Sequence, residues 1–140
     1  MIDRAQAEAL LDAAREVRRR SYSPYSGFAV GAALLDRQGL VHVGTNIENA
    51  SYGLTMCAER NALACAVSRG ARDFRAIAIV GPGSEPCFPC GSCRQVLHEF
   101  APDLTIVLEG SGGEPKMMAL TALLPEPFPS AALRTKLEEG

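Results

Sequence analysis

Cys57-Ala58-Glu59 and, further along, Pro89-Cys90-Gly91-Ser92-Cys93 place three thiols and one carboxylate in two short motifs. Three thiolates can hold a zinc ion and leave its fourth position open, the arrangement of a working metal rather than a structural one. Glu59 then has a task that metal binding alone does not explain. Beside a metal that activates water, a carboxylate can take a proton and deliver it elsewhere on a substrate. Two other readings compete. Cys87, three residues before Cys90, gives a second C-x-x-C frame, so Cys57, Cys87, Cys90 and Cys93 together could close a purely structural zinc site. Cys90-Gly91-Ser92-Cys93 at a helix start also suits thiol-disulfide exchange, although that leaves Cys57-x-Glu59 without a purpose.

The elements that must position these groups follow from helix geometry. Residues two apart on a regular helix face different ways, so Cys57 and Glu59 can share a cleft only at a helix end. The run from Cys57 to Arg69, stopped by Gly70, predicts a helix with Cys57 at its start, and Gly91 to Phe100 predicts a second with both its thiols near the first turn. Two helix N-termini then converge on one metal, and their partial positive charge favours thiolates. Three thiolates on Zn²⁺ leave one net negative charge, which a guanidinium near the sulfurs would drain. Arg60, after Glu59, and Arg94, after Cys93, are the two candidates.

Around these motifs the chain alternates helix and strand patterns. Asp3 opens a D-x-x-Q capping pattern, and Ala7, Leu10, Leu11, Ala14 and Val17 form one apolar helical stripe that runs into Arg18-Arg19-Arg20, read as a solvated helix end. Phe28 to Leu35 and Leu40 to Val43 predict a hairpin around Asp36 to Gly39. Ala76 to Val80, Leu104 to Leu108 and Lys116 to Ala119 supply three more strands, and Thr121 to Leu124 a short helical turn before Pro125. The expected fold is α/β: a three-layer α/β/α sandwich over a mixed five-stranded sheet. Residues 1–140 read as a single domain with a C-terminal tail, after Phe128, that frays. His42, in a strand, and His98, late in a helix, read as structural or solvated, and Cys65 as a small core residue.

Composition narrows the functions. A net charge of −2 argues against a long nucleic-acid partner, which demands a basic groove. No apolar run is long enough to span a membrane and no secretory pattern opens the chain, so a cytoplasmic location is expected. Five cysteines in that setting favour reduced thiols and a metal over a disulfide framework.

Cys57-Ala58-Glu59-Arg60 together with Pro89-Cys90-x-x-Cys93-Arg94-Gln95-Val96 resembles the cytidine deaminase family, in its small homotetrameric form. Tyr22-Ser23-Pro24-Tyr25-Ser26-Gly27-Phe28, Asn46-Ile47-Glu48-Asn49-Ala50 and Leu123-Leu124-Pro125 extend the resemblance over nearly the whole chain. It implies one zinc ion per subunit on Cys57, Cys90 and Cys93, with Glu59 moving protons while cytidine or 2'-deoxycytidine loses ammonia, a step of pyrimidine salvage. Many related deaminases carry a His where Cys57 stands. Asn46 and Glu48, two apart in an extended segment, face one side; alone they would read as a turn residue and a surface acid. The resemblance makes them the pair that binds the ribose 3'-hydroxyl, and the Glu48 charge would repel a phosphate there.

Phe28, which periodicity alone would put in the core, becomes the ring beside the base, and Ala58 joins it among the substrate contacts. Tyr25, Ala50 and Tyr52 match positions around subunit contacts and the sugar's 5' end, and Phe128 the aromatic that closes over the base from another chain. The implied assembly is a homotetramer with shared sites, acting on a small nucleoside. A modified cytosine nucleoside, such as an aminoacyl-cytosine antibiotic, is the alternative substrate. Ser92, where a small Ala is common, and Phe88 before the Pro-Cys pair are the departures from the family pattern.

Overall fold

A computed structural model describes residues 2–131, 133 and 134. The first helix, α1 (Arg4–Arg18), begins at Asp3, whose side chain accepts the Gln6 N–H while the Gln6 side chain accepts the Asp3 N–H, completing the expected capping box. Strands β1 (Gly31–Asp36) and β2 (Val41–Thr45) form the hairpin. After a single 3₁₀ turn at Tyr52–Leu54 come α2 (Ala58–Ser68), β3 (Phe74–Val80), α3 (Gly91–Phe100), β4 (Thr105–Glu109), β5 (Pro115–Ala119) and the short α4 (Leu120–Leu123).

The strands pair in the order β2-β1-β3-β4-β5. Only β3 and β4 run parallel; the β2/β1, β1/β3 and β4/β5 pairs are antiparallel, so the sheet is mixed as expected. The inner strands are apolar on both faces because both are covered. Ala32, Leu34, Ile77, Ile79, Ile106 and Leu108 point to a core shared with α2 and α3 through Ala62, Leu63, Ala66 and Leu97. Their neighbours Ala33, Leu35, Ala76, Ala78 and Val107 face α1 through Ala7, Leu10, Leu11 and Ala14. The result is the three-layer sandwich. None of the helices among the described residues is long and apolar enough to cross a membrane.

Two glycines set the layer spacing. A Cβ on Gly31 would lie 2.1 Å from the Ala14 carbonyl oxygen of α1, and one on Gly44 would lie 2.4 Å from the Ala62 nitrogen and 2.7 Å from the Ala58 oxygen of α2. Close backbone contact on both sides of the hairpin requires residues without side chains. Gly70, with φ +98°, ends α2 in the left-handed region as its sequence position predicts.

The hairpin turn is held from inside. Asp36 Oδ1 accepts the N–H groups of Gln38 and Leu40, each at 2.9 Å, while Oδ2 lies 2.9 Å from His42 Nε2 in a buried pair. Burial pushes the Asp36 carboxyl up, but the His42 hydrogen bond and the two backbone donors outweigh it and hold the group below its ordinary value. A depressed carboxyl stabilises the fold above its unfolded value near 3.8 and loses that contribution as pH falls through the folded value. Asp36→Asn is expected to destabilise by about 1–3 kcal/mol at neutral pH, the usual effect of breaking a buried charge-assisted network. Urea unfolding at pH 7 and again near pH 3 checks this; the gap should shrink in acid.

Two expectations need correction. Phe28 to Val30 is not strand, because the Asn46 side chain takes the backbone bonds a ladder would use: Val30 N–H donates to Asn46 Oδ1 at 2.9 Å and Asn46 Nδ2 donates to the Phe28 carbonyl at 2.7 Å. Arg18 is not a solvated helix end. Its Nε donates to the Ala29 carbonyl at 2.8 Å and the side chain is half-buried, tying α1 to the segment before β1, while Arg19 and Arg20 are exposed. Of the C-terminal tail, residues 132 and 135–140 lie outside the described residues, and the backbone N–H groups of Leu133 and Arg134 bond the Ser130 carbonyl.

Candidate active site

Cys57 is the N-cap of α2 and Cys90 the N-cap of α3, both in extended backbone geometry, with Cys93 buried in the first turn of α3. The helix starts therefore meet as predicted. Cys57 Sγ lies 3.9 Å from Cys90 Sγ, which lies 3.4 Å from Cys93 Sγ, and the three sulfurs fall within 4.8 Å of one another. Zinc–sulfur bonds of about 2.3 Å in a tetrahedron require sulfurs about 3.8 Å apart, so the cluster has the size of a zinc site. The thiols share protons closely. The hydrogen bond from Cys93, reinforced by Arg60, brings Cys57 down to about 5 against the opposing effect of burial, and the same bond pushes the Cys93 thiol up.

Cys87 is not the fourth ligand. It stands outside the converging group, packs beside Gly81 and against the core, and its thiol is pushed up to about 11, first by burial. The geometry thereby favours three thiolates with an open position over the closed four-cysteine site. Glu59, in the first turn of α2, is 5% exposed, and burial followed by the charge of Cys57 raises its carboxyl above the ordinary value.

The geometry separates the two arginines. Arg60 Nη2 lies 3.7 Å from Cys57 Sγ and 3.5 Å from the Thr55 carbonyl, and its buried Nε has no partner among the described residues. Arg94 instead donates from Nε to the Pro89 carbonyl and from Nη1 to the Leu123 carbonyl, both at 2.8 Å, pinning the loop before Cys90 and α4 onto α3. Arg60→Gln is expected to lower deamination about 10-fold or more while zinc content falls less, as for partners that tune a metal rather than hold it. Metal analysis beside turnover checks this, and a reversed pattern would make Arg60 structural.

A cavity of about 260 Å³ is lined by Cys57, Ala58, Glu59 and Cys90 together with Ser26, Asn46 and Glu48. Phe28, Val30, Cys87 and Phe88 add apolar wall. A larger cavity, about 400 Å³, lies between the hairpin turn and the loop after α2, lined by Arg37, Arg69 and Arg72, but it contains none of these reactive groups. Chemistry, rather than size, places the site.

Asn46 is pinned by groups of opposite polarity. Its oxygen accepts from Val30 N–H and the Ser21 hydroxyl, and its nitrogen donates to the Phe28 carbonyl, which leaves one amide N–H uncommitted. Glu48 Oε1 accepts from Tyr25 N–H at 2.9 Å and Ser26 N–H at 3.1 Å, and Oε2 from the Ser26 hydroxyl. The Ser26 hydroxyl is the largest influence holding Glu48 below its ordinary value.

Tyr25 and Tyr52, an edge-to-face pair with ring centres 5.9 Å apart, line an adjoining cavity of about 330 Å³ that shares Ser26, Glu48 and Thr55. Ala50 is exposed and lines neither cavity. Phe128 is 65% exposed, its backbone tied to the Gln95 side chain, and lies outside the cavity of its own chain. Ser26 was not singled out from the sequence, because a serine in a turn carries no chemical signature until its partners are known.

A chain whose three clustered thiols fit a zinc ion with a fourth position to spare, and whose buried carboxylate lines the cavity beside them, is equipped for zinc-assisted hydrolysis. Residues 4–109 match the family model of the cytidine and deoxycytidylate deaminase zinc-binding region, and the chain belongs to that family. It is 49% identical to the cytidine deaminase of Halalkalibacterium halodurans over 120 residues, covering 85% of this chain and 91% of that protein. The cytidine deaminase of Sporosarcina psychrophila is 41% identical, over 94% and 98% of the two chains. The crystal structure of cytidine deaminase from Burkholderia pseudomallei superposes with a TM-score of 0.81 at 48% identity, covering 86% of this chain and 97% of the other.

Proposed function

We propose that this chain, as one deaminase domain, converts cytidine and 2'-deoxycytidine to uridine and 2'-deoxyuridine with release of ammonia. The observation that carries the reading is the buried Glu59 lining one cavity together with Cys57 and Cys90 of the three-thiol cluster and with the Asn46/Glu48 pair. Cys57, Cys90 and Cys93 would hold the zinc, which when bound would activate a water. Glu59 accepts a proton from the attacking water and delivers it to ring N3 as the oxygen adds to C4. It then carries the second proton to the amine, the C4–N bond breaks, ammonia leaves and the C4 carbonyl forms. Burial suits Glu59 to this traffic, since a carboxyl raised above its ordinary value takes a proton from an activated water more readily than an ordinary carboxylate does and can hand it to a ring nitrogen that becomes basic as the oxygen adds.

In the same cavity, the free amide N–H of Asn46 and the Glu48 carboxylate offer a donor and an acceptor to a sugar hydroxyl, the 3'-hydroxyl in the reading that the family resemblance implies. A phosphate there meets the Glu48 charge, so nucleosides are favoured over nucleotides. Phe28 and Ala58 contact the base. Incubation with cytidine and measurement of ammonia and uridine tests the assignment; a zinc-loaded protein inert on both nucleosides, yet active on an aminoacyl-cytosine, would overturn it.

The chain acts in this reading as a cytoplasmic homotetramer with shared sites. Support comes from aromatics left uncovered on the surface: Tyr25 and Tyr52 beside the cavity, and Phe128 away from it, are each more than half exposed. In the assembly Tyr25, Ala50, Tyr52 and Phe128 complete neighbouring sites. Sedimentation at assay concentration should report four copies.

A further inference from the structure

The proposed sugar subsite is organised by a residue outside the Asn46/Glu48 pair. Ser26 uses one hydroxyl for two bonds: it accepts the Phe28 N–H at 2.9 Å and donates to Glu48 Oε2. Phe28 in turn offers its carbonyl to Asn46 Nδ2 at 2.7 Å. Three groups placed at the substrate, the Phe28 ring, the Asn46 amide and the Glu48 carboxylate, are therefore joined through Ser26.

Counting lone pairs shows where a ligand hydroxyl must go. Each carboxylate oxygen has two acceptor positions. Both positions of Glu48 Oε1 are filled by Tyr25 and Ser26 N–H groups, while Oε2 receives only the Ser26 hydroxyl. One acceptor position on Oε2 is left among the described bonds, on the oxygen whose direction the serine controls. The two backbone donors grip a single oxygen and leave the carboxylate plane free to turn about it.

We infer that Ser26 is a positioning residue for sugar recognition, fixing Glu48 Oε2 so that its open lone pair meets the ligand hydroxyl. This rests on the cytidine reading above. Removing the hydroxyl should weaken nucleoside binding without disturbing the proton transfers at Glu59, because the Ser26 hydroxyl bonds Glu48 and the Phe28 N–H and not Glu59.

The experiment measures kcat and KM of the zinc-loaded enzyme on cytidine and 3'-deoxycytidine. For Ser26→Ala the expected result is a rise in the cytidine KM of about tenfold, with kcat within about twofold and little change on 3'-deoxycytidine, the pattern of a lost binding interaction. Ser26→Thr, which keeps the hydroxyl, should restore the cytidine KM. Equal losses on both nucleosides, or a loss confined to kcat, would overturn the role of Ser26. Glu48→Gln on the same pair separates this from failure of the underlying reading. If Glu48→Gln discriminates between the nucleosides and Ser26→Ala does not, only the serine assignment falls; if Glu48→Gln harms both equally, the sugar subsite itself is misplaced and both fall.

Discussion

Glu59→Gln leaves a folded, zinc-loaded protein that has lost nearly all turnover. The amide matches the carboxylate in shape but cannot accept the proton that water gives up or pass it to the ring, and removing a positioned acid/base lowers rates by about 10²–10⁴-fold. Ammonia release from cytidine, normalised to zinc content, is the measurement. Retained turnover would eliminate Glu59 as the proton carrier. The same substitution has a second, opposite signature in stability. Burial, helped by the charge of Cys57, raises the folded carboxyl above its ordinary value near 4.5. A group shifted that way favours the fold fully below the unfolded value and loses that contribution as pH rises through the folded one. As pH climbs above that ordinary value the buried carboxyl of the metal-free chain therefore becomes a growing burden, and the Gln variant should unfold at no lower temperature than the parent. The gap should close below pH 4.5.

Cys90→Ser is expected to abolish metal binding and activity together, while Cys87→Ser leaves both in place. The contrast follows from position. Cys90 Sγ sits between Cys57 at 3.9 Å and Cys93 at 3.4 Å, whereas Cys87 belongs to the wall of the cavity. A hydroxyl is a poor zinc ligand beside two thiolates, and a metal bound only by the folded chain adds its binding free energy to stability. Chelation should thus lower the melting temperature of the parent and of Cys87→Ser but not that of Cys90→Ser. Loss of zinc from Cys87→Ser would restore the closed four-sulfur site and remove the place for water.

The convergence of the three thiols was legible in the sequence because thiol identity, spacing and helix starts all constrain the same few residues. Strands β3 and β4 were legible too, since a strand covered on both faces shows as an unbroken apolar run such as Ala76 to Val80. What stayed hidden depended on side chains replacing backbone partners. Asn46 satisfies Val30 and Phe28, so the strand begins at Gly31 and not at the apolar Phe28. Arg60 and Arg94 look alike on paper because each follows a motif residue; only the fold turns one toward Cys57 Sγ and the other toward the carbonyls of Pro89 and Leu123. Arg18 belongs to the same class, its charge spent on the Ala29 carbonyl instead of solvent.

Gly44 makes the reactive centre vulnerable from a distance. It touches neither metal ligand nor cavity, yet the backbone of α2 rests on it at Ala58 and Ala62, and α2 carries Cys57 and Glu59 at its leading end. Even a methyl group there would lever the helix off the hairpin and move both residues relative to Cys90 and Cys93, which ride on another element. Directed-evolution libraries aimed at new nucleosides should therefore leave this position untouched and diversify the Phe88 rim instead, where the wall can change shape without shifting the zinc.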